Sequence, residues 1–394
     1  MIRTQVVIVG AGPAGLMLSH LLHRAGVESI VLEARSRAYI EGRVRAGVLE
    51  QGTVDLLRAS GVGDRLGREG LVHDAVELRF EGEGHRIDLA RATGGRTITV
   101  YGQQEVVKDL IAARLEAGGD VRFECADIAL HDVSTDHPRV TARVHGEALE
   151  IACDFIGGCD GSHGICRDAI PRSRRTIHER AYPFAWLGIL ARAAPSRDHL
   201  VYAHHDRGFA LFSMRSPSLT RLYLQVAPDE ELSAWPDARA WDELDARFEG
   251  RDAWRPARGP VLEKSVTGMR SLVVEPLRYG RLFLAGDAAH IVPPTGAKGL
   301  NLAMADVRVL AAAIERFYAS ADASGLDAYS ATALKRVWRA EHFSWWMTAL
   351  LHRFPEGDSF QRRLQRAQLE YVVSSEAARA SFAENYVGLP FEAT

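Results

Sequence analysis

Short apolar runs around a glycine-rich turn dominate the first 32 residues and predict a strand–helix–strand unit. Residues 5–9 (Gln-Val-Val-Ile-Val) form a β-branched run that is typical of a strand buried on both faces. The turn occupies 10–15, a helical pattern runs over 16–24, and a second apolar run covers 29–32. This order predicts a right-handed βαβ unit with a parallel sheet.

The hydrophobic period changes further along the chain. Apolar and polar residues alternate over 76–102, which indicates antiparallel strands, and 181–230 combines apolar and aromatic stretches with Pro and Gly breaks, as in a β domain. Helical periods are predicted over 104–117, 237–248, from Leu300 onward, 338–352 and 358–380. The predicted fold class is therefore α/β (α+β), with a Rossmann-like domain, an interleaved, mostly antiparallel β domain and a C-terminal helical region.

Composition and charge exclude several classes of function. The chain has 394 residues, 47% of them hydrophobic, and a net charge of −3, so no basic field indicates a nucleic-acid partner. Four Cys without CxxC spacing predict reduced thiols in a cytoplasmic protein and no metal site. We expect no signal peptide and no membrane partner, because no apolar run is long enough for either.

The turn Gly10-Ala11-Gly12-Pro13-Ala14-Gly15 has the spacing of a dinucleotide-binding fingerprint. Gly10 would permit the tight turn, Gly12 would let a pyrophosphate approach the backbone, and Gly15 would let helix and strand pack closely. Free amides at the helix start, including that of Ala14, would hold the diphosphate. Glu33 ends the next strand and would accept a hydrogen bond from a ribose hydroxyl. The alternative is an ordinary strand–turn–helix, and the motif alone leaves FAD and NAD both open.

Two further clusters follow predicted strands. Gly286-Asp287 ends a buried apolar run and precedes the long helix that opens near Leu300. Its Asp would bind a ribityl hydroxyl, and the helix N-terminus would stabilise the negative charge of a reduced flavin. Cys159-Asp160-Gly161 is the other cluster, with Arg167 downstream. The alternatives are an N-cap for Asp287 and a plain turn at Asp160.

Together the three clusters resemble the group A flavoprotein monooxygenases, which are single-component aromatic hydroxylases. Five segments are similar to the branch of this family that hydroxylates 4-hydroxybenzoate at the 3-position to 3,4-dihydroxybenzoate. They are 286–301, which extends the Gly286-Asp287 cluster, and 43–51, 100–103, 343–347 and 384–390. The resemblance covers essentially the whole chain.

The resemblance implies FAD as cofactor, NADPH or NADH as co-substrate, O2, a small aromatic acid as substrate and a homodimer. It further implies an FAD-binding domain over 1–180, with inserted strands near 74–100. A substrate-binding β domain would cover 181–290 and return to the FAD domain near 268–290. The flavin-contacting helix and a helical interface region would occupy 291–394.

The resemblance also implies site residues. Those expected at FAD are Gly10, Gly12, Ala14, Gly15, Glu33, Arg43, Arg45, Ala46, Gly47, Val48, Gln103, Asp160, Asp287, Gly296, Gly299, Leu300 and Asn301. Those expected at the nicotinamide nucleotide are Arg35, Tyr39, His163 and Arg270, together with Arg43 and Arg45. Arg35 or Arg37 suits a 2′-phosphate, which favours NADPH over NADH. However, Ala34-Arg35 and Ser162 depart from the pattern of strict NADPH users.

For the substrate, the resemblance implies that Arg215 pairs with the carboxylate, helped by Ser213 and Tyr223, since a guanidinium binds a carboxylate bidentately. At the phenol end, Tyr202 and Tyr386 would begin a proton relay that ends at His73. The Pro294 carbonyl would face the phenol oxygen, and Arg221 would influence movement of the flavin. Without the resemblance, Arg215 is one surface arginine among 44, and each tyrosine is a core residue.

Two other functions stay open at this point. One keeps the flavin fold but takes another ring, such as a 3-hydroxybenzoate or an aminobenzoate. The other is a non-catalytic flavin-dependent sensor. The presence of the whole carboxylate and phenol set argues against both, because a sensor needs no proton exit.

Overall fold

The computed structural model describes residues 2–43 and 47–391. Arg45 and Ala46, both predicted at FAD, lie outside the described residues. Helices occur throughout the chain and are α1 Pro13–Arg24, α2 Arg37–Gly42, α3 Gln51–Ala59, α4 Asp64–Glu69, α5 Leu89–Ala92, α6 Gln103–Glu116, α7 Asp237–Phe248, α8 Gly299–Ser320, α9 Ser324–Leu351, α10 Ser359–Ser374 and α11 Glu376–Tyr386.

A six-stranded, mostly parallel sheet forms the nucleotide-binding half. Its strands in spatial order are β19 Arg278–Tyr279, β20 Leu282–Leu284, β13 Phe155–Gly158, β2 Val6–Val9, β3 Ser29–Leu32 and β9 Asp120–Arg122. The βαβ prediction is confirmed, since β2 and β3 pair in parallel with Val6 opposite Ser29. The β-branched run of β2 is fully buried because helices, α1 among them, cover the sheet.

An eight-stranded sheet forms the other half. Its strands in spatial order are β21 His290–Ile291, β18 Val261–Glu275, β14 Thr176–Ala191, β17 Leu219–Val226, β16 Ala210–Ser216, β15 Leu200–Ala203, β6 Ala75–Phe80 and β7 Glu83–Asp88. The long strands β14 and β18 pair antiparallel. Of the strands near 74–100, β6 and β7 thus join this sheet, since β6 lies parallel to β15 and antiparallel to β7. The domain boundaries themselves stay a prediction.

Two smaller sheets complete the strands. The first has the order β1 Ile2–Arg3, β12 Glu147–Ala152, β11 Arg139–Val144 and β10 Ala126–His131. The second has the order β4 Val48–Glu50, β8 Ile98–Val100 and β5 Leu71–His73.

The helical predictions for 237–248 and 338–352 are confirmed by α7 and α9, but the prediction for 358–380 is wrong. The tryptophan-rich stretch at 338–352 is the second half of the continuous helix α9. The single helix expected over 358–380 is two helices, because Ser375 ends α10 and its side chain accepts the Ala378 N–H at the start of α11 (3.3 Å).

Candidate active site

Four neighbouring parallel strands carry the three predicted cofactor motifs and Glu33 at one edge of the six-stranded sheet. In order across the sheet, β20 leads into Gly286-Asp287, β13 into Cys159-Asp160, β2 into Gly10, and β3 into Glu33. Parallel pairing places the carboxyl ends of these strands side by side. This edge is where ligands bind in open α/β sheets.

The three fingerprint glycines occupy different surroundings. A Cβ on Gly10 would lie 2.3 Å from the Cys159 carbonyl oxygen, and one on Gly15 would lie 1.9 Å from the Gly10 carbonyl oxygen. Gly10 also has a φ of +106°, which favours glycine. A Cβ on Gly12 would meet no atom of the described residues within 4 Å. The first and third glycines are therefore needed for packing, whereas the second faces open space in which a phosphate fits.

The start of α1 offers amides to an anion. The first helical bond runs from the Leu16 N–H to the Gly12 carbonyl (3.0 Å). The Ala14 and Gly15 amides come before it in the helix and have no carbonyl within the helix to bond. The first turn contains no acidic residue. Buried Glu33 holds the turn in place, because its Oε2 accepts the Ala11 N–H and its Oε1 the Arg35 N–H, both at 2.8 Å. A carboxylate with two acceptor sites still available fits a ribose hydroxyl.

The two aspartate motifs meet the same helix start. Asp160 accepts the Cys166 N–H through Oδ2 (2.9 Å), while its Oδ1 is buried without a hydrogen-bond partner among the described residues. Gly286 is wedged between helices, since its Cβ would lie 3.2 Å from the Ala14 Cβ. Arg167 links the motifs by donating to the carbonyls of Asp287 (2.6 Å) and Ala288 (2.9 Å). The buried orphan oxygen of Asp160 is the kind of acceptor that a bound dinucleotide satisfies.

The start of α8 is held by its own side chains. The Asn301 amide donates to the Val48 carbonyl (3.0 Å) and accepts the Glu50 N–H (2.9 Å), so it ties the helix to β4. The first intrahelical bond ends on the Leu302 N–H, which leaves the amides of Gly299, Leu300 and Asn301 ahead of it. No acidic residue lies in this turn. Backbone amides and helix dipole together suit the pyrimidine edge of a reduced flavin.

The remaining predicted FAD residues lie at or just before the start of α8, just before β4 and at the start of α6. A Cβ on Gly296 would meet the Ser344 Oγ at 2.7 Å, whereas one on Gly299 would meet nothing nearer than 4.0 Å. A Cβ on Gly47 would lie 2.3 Å from the Tyr101 carbonyl oxygen, and half-buried Gln103 begins α6. The open glycines, the free amides and the orphan Asp160 oxygen fit FAD.

Arg215 lies on β16 and has only neutral partners. Its guanidinium donates to the Ser213 hydroxyl (2.8 Å), the Met214 carbonyl (3.0 Å) and the Tyr223 hydroxyl (3.4 Å). Its Nε is buried without a partner, and no carboxylate of the described residues forms an ion pair with it. Burial lowers the pKa of Arg215, and the nearby charge of Arg221 lowers it further. A half-buried cation without a counter-ion is suited to a ligand carboxylate.

Tyr202 and Tyr386 form a buried pair whose hydroxyl oxygens are 2.5 Å apart. Burial raises the pKa of both tyrosines. Tyr202 shares a sheet face with Tyr223, because both lie opposite Leu211 in the strand pairing. The phenol-relay residues and the carboxylate-binding residues thus lie on one side of the eight-stranded sheet.

His73 and Pro294 are also predicted at the phenol end, but their hydrogen bonds in the described residues do not involve the tyrosine pair. No hydrogen bond among the described residues joins His73 to either tyrosine, and its buried Nδ1 has no partner. Burial, together with repulsion from His199, lowers the pKa of His73 to about 4. The Pro294 carbonyl accepts the Ala297 N–H (3.0 Å) in a tight turn. The structure therefore joins the two tyrosines directly but not the third relay residue.

The predicted nicotinamide residues fall into two groups. The Arg35 and Arg43 guanidinium carbons lie 5.6 Å and 5.9 Å from the centre of the exposed Tyr39 ring, on and beside α2. His163 is exposed after β13, and Arg270 lies on β18, 3.5 Å from the Glu179 carboxylate.

Lys298 was missed as a functional candidate although it lies inside the Gly286–Asn301 segment. It is buried, and its Nζ donates to the Glu50 carboxylate (2.6 Å) and to the Tyr386 carbonyl (3.2 Å). Burial lowers its pKa. The available signal was a lone lysine in a Pro- and Gly-rich turn at a helix start. Lys298 therefore fixes the backbone of Tyr386 to the start of α8.

Neither a metal cluster nor a membrane span occurs in the part of the chain that the structure describes. Within residues 2–43 and 47–391, no three His, Cys, Asp or Glu side chains are grouped to hold a metal ion. None of the helices in those ranges is long and apolar enough to cross a membrane.

Comparison with known proteins gives consistent results. The profile of the family described as FAD binding domain matches residues 3–344. The p-hydroxybenzoate hydroxylase of Acinetobacter baylyi is 48% identical over 390 residues, which cover 99% of this chain and 96% of that protein.

Solved structures share the fold at lower identity. The p-nitrophenol 4-monooxygenase of Pseudomonas putida has a TM-score of 0.84 at 20% identity, covering 99% of this chain and 100% of that one. An aklavinone-11 hydroxylase solved with FAD and aklavinone has a TM-score of 0.74 at 21% identity, covering 89% and 70%.

Proposed function

The chain belongs to the FAD binding domain family, and from this premise we propose that it is an FAD-dependent monooxygenase acting on 4-hydroxybenzoate. It uses NAD(P)H and O2 and forms 3,4-dihydroxybenzoate, NAD(P)+ and water. The observation that carries the choice of substrate is the Arg215 guanidinium, which lies on the same sheet face as the Tyr202–Tyr386 pair and has no counter-ion among the described residues.

We propose that the carboxylate of the substrate makes the most important contact in binding. This carboxylate would pair with Arg215 and take the place of water around a cation that has only neutral partners. Ser213 and Tyr223 would hold the guanidinium plane, because both contact its terminal nitrogens. A para-hydroxy acid anchored in this way directs its phenol away from Arg215, toward the tyrosine pair.

At the phenol end, the substrate must lose a proton to become a good nucleophile. A phenol has a pKa of about 10, so at neutral pH it stays protonated unless the site favours the anion. Tyr202 would accept a hydrogen bond from the substrate phenol and pass a proton to Tyr386 across their 2.5 Å contact. His73 stays the predicted terminus and needs a bridging group to reach the tyrosines, since no hydrogen bond in the described part of the chain joins them directly.

FAD, when bound, supplies the redox chemistry: it accepts a hydride from the nicotinamide and activates O2. The protein's part is to cradle the pyrophosphate at Gly12 and the start of α1, and to present the α8 amides to the ring. We propose that Arg221 influences the movement of the flavin ring. Its guanidinium carbon lies 5.4 Å from the centre of the ring of Tyr223, a predicted substrate-binding residue.

For the nicotinamide nucleotide we propose NADPH over NADH. Arg35 and Arg43 surround Tyr39, and Arg37 begins α2 beside them. An adenine ring stacked on Tyr39 would bring a 2′-phosphate within reach of these guanidinium groups. Steady-state kcat/KM for NADPH and NADH measures the preference, and a ratio near one or below it contradicts the proposal.

We propose a cytoplasmic homodimer whose interface includes α10. That helix exposes Phe360, Leu364 and Tyr371, which are 68%, 55% and 58% accessible. Large apolar side chains on one helix indicate a contact surface. Sedimentation of the wild type and of a Leu364→Glu variant would test this, and a monomeric wild type contradicts it.

The central experiment is turnover by the purified protein with bound FAD. We expect 4-hydroxybenzoate to accelerate NAD(P)H oxidation and to yield one 3,4-dihydroxybenzoate per NAD(P)H. Faster turnover of 3-hydroxybenzoate or 4-aminobenzoate would favour the alternative that the protein is a flavin hydroxylase of another aromatic acid. NAD(P)H oxidation that ignores every aromatic acid and forms only peroxide would favour a flavin sensor.

A further inference from the structure

A continuous buried chain of contacts connects the Pro294 turn to the Arg215 pocket. It begins in the turn Pro294–Gly296, which packs against α9. The Thr348 hydroxyl on α9 donates to the Ser344 carbonyl (2.7 Å), so its oxygen accepts the Thr295 hydroxyl (2.9 Å). Both threonine side chains are fully buried. The turn that carries Pro294 is therefore fixed to the last two turns of α9.

The next member is His352, which directly follows α9 and is fully buried. Its Nδ1 bonds to the Thr348 carbonyl (3.0 Å), and its Nε2 accepts the Trp186 indole N–H (2.7 Å). A carbonyl only accepts and an indole N–H only donates, so these partners select one neutral tautomer, protonated on Nδ1. Burial lowers the pKa of His352 to about 3, and the ring stays neutral.

Stacked rings keep this imidazole from rotating. The ring centre of His352 lies 4.7 Å from that of Phe184 at 7° and 4.3 Å from that of Phe209 at 23°. On the far side, the Trp186 ring centre is 4.8 Å from that of Tyr223. The Tyr223 hydroxyl accepts from Arg215. The bridging chain, defined as Thr295, Thr348, His352 and Trp186, thus ends at the carboxylate pocket.

We propose that Thr348 and His352 are positioning residues that fix the distance between the carboxylate-binding and phenol-binding ends, and so select para-hydroxylated acids. The inference rests on the proposed function for an acid at Arg215, and on the family resemblance for a phenol oxygen at the Pro294 carbonyl. Hydrogen bonds join the members of the bridging chain, and a ring contact tilted by 45° joins Trp186 to Tyr223, all in a closely packed interior that couples the positions of the two ends. A meta-hydroxy acid has a shorter span between its two oxygen groups and would leave one end unpaired.

The test compares binding of 4-hydroxybenzoate and 3-hydroxybenzoate to the FAD-loaded protein. Thr348→Val keeps the shape of the side chain but removes the hydroxyl that joins the Pro294 turn to α9. The ratio compared is the dissociation constant of 3-hydroxybenzoate divided by that of 4-hydroxybenzoate. We expect this ratio to fall about tenfold, the effect of one buried hydrogen bond, because the para acid binds more weakly. His352→Gln keeps an acceptor for the indole and a donor for the carbonyl, and should retain most of the ratio, whereas His352→Leu should lose it.

The matched control is Thr220→Val on β17. Thr220 is equally buried and donates one hydrogen bond, to the Ala193 carbonyl (2.9 Å), but lies on the opposite face of its strand from Tyr223. Unchanged ratios in Thr348→Val and His352→Leu, or an equal change in Thr220→Val, overturn the inference. Failure of the wild type to bind 4-hydroxybenzoate would instead overturn the proposed function beneath it. If Thr348→Val does not fold, the two His352 variants decide.

Discussion

Replacing Arg215 with methionine should weaken acid binding while leaving the unliganded protein at least as stable. The guanidinium is half-buried, its three hydrogen bonds go to neutral oxygens, and its Nε has no partner. Methionine has a similar length and fills the space without a charge. The protein without substrate would lose a half-buried cation that has no counter-ion among the described residues, so we expect its free energy of unfolding to stay the same or to rise.

The expected size of the binding loss follows from the same contacts. A hydrogen bond to a charged group contributes about 1.5–3 kcal/mol, and breaking a buried ion pair costs about 3–5 kcal/mol. Because Arg215 is only half-buried, we expect about 2–4 kcal/mol, which corresponds to a dissociation constant raised about 30- to 1,000-fold.

The assay is titration of the FAD-loaded protein with 4-hydroxybenzoate and with its neutral analogue 4-hydroxybenzamide. Wild type should prefer the acid strongly, and Arg215→Met should bind both ligands with similar affinity. Arg215→Lys should recover part of the preference, since it keeps the charge but not the planar fork. The control is Arg207→Met, because Arg207 is an exposed arginine paired with Glu243.

Two results would refute this reasoning. If Arg215→Met weakened the acid and the amide equally, the residue would shape the pocket without pairing with the carboxylate. If thermal unfolding of the variant without ligand fell by several degrees, the guanidinium would be a structural group that its neutral partners satisfy.

Three further predictions use the same preparation. Tyr202→Phe should leave NAD(P)H oxidation nearly intact but divert it to peroxide, measured as product per NAD(P)H; equal loss of both would count against the relay. Gly12→Val should place its side chain where the pyrophosphate fits and lower the FAD-to-protein ratio, without shifting the unfolding temperature of the FAD-free protein. Burial raises the pKa of Glu341 to about 7, so its protonated form adds stability that is complete below pH 4.5 and is lost as the pH rises through about 7. Glu341→Gln should remove that pH dependence, on the order of 3 kcal/mol, in denaturant unfolding between pH 5 and 8, and parallel curves would contradict this.

Local patterns were enough to predict the nucleotide-binding half. The β-branched run at 5–9, the glycine spacing that follows and the acid at Glu33 all act within one βαβ unit, and each prediction agrees with β2, α1 and β3. Helix ends were predicted less well: Ser375 divides the C-terminal helix because its hydroxyl caps α11, and the apolar period does not record such a cap.

The substrate pocket depended on the resemblance. Nothing in the residues around Arg215 distinguishes it from 43 other arginines, because what matters is the absence of an acid nearby in space. The tyrosine pair likewise joins positions 184 residues apart, and a contact over that distance in the chain cannot be predicted from sequence spacing.

By itself the sequence determined the βαβ unit, the glycine positions and the acidic strand ends, because hydrophobic period and turn chemistry act over a few residues. Only the tertiary structure decided that β20, β13, β2 and β3 end side by side, and that His352 meets Trp186 from 166 residues away. Within residues 2–43 and 47–391, it also left Arg215 without a carboxylate partner and one buried Asp160 oxygen without a hydrogen bond. Such features depend on which distant groups share a desolvated space, and burial makes those contacts strong.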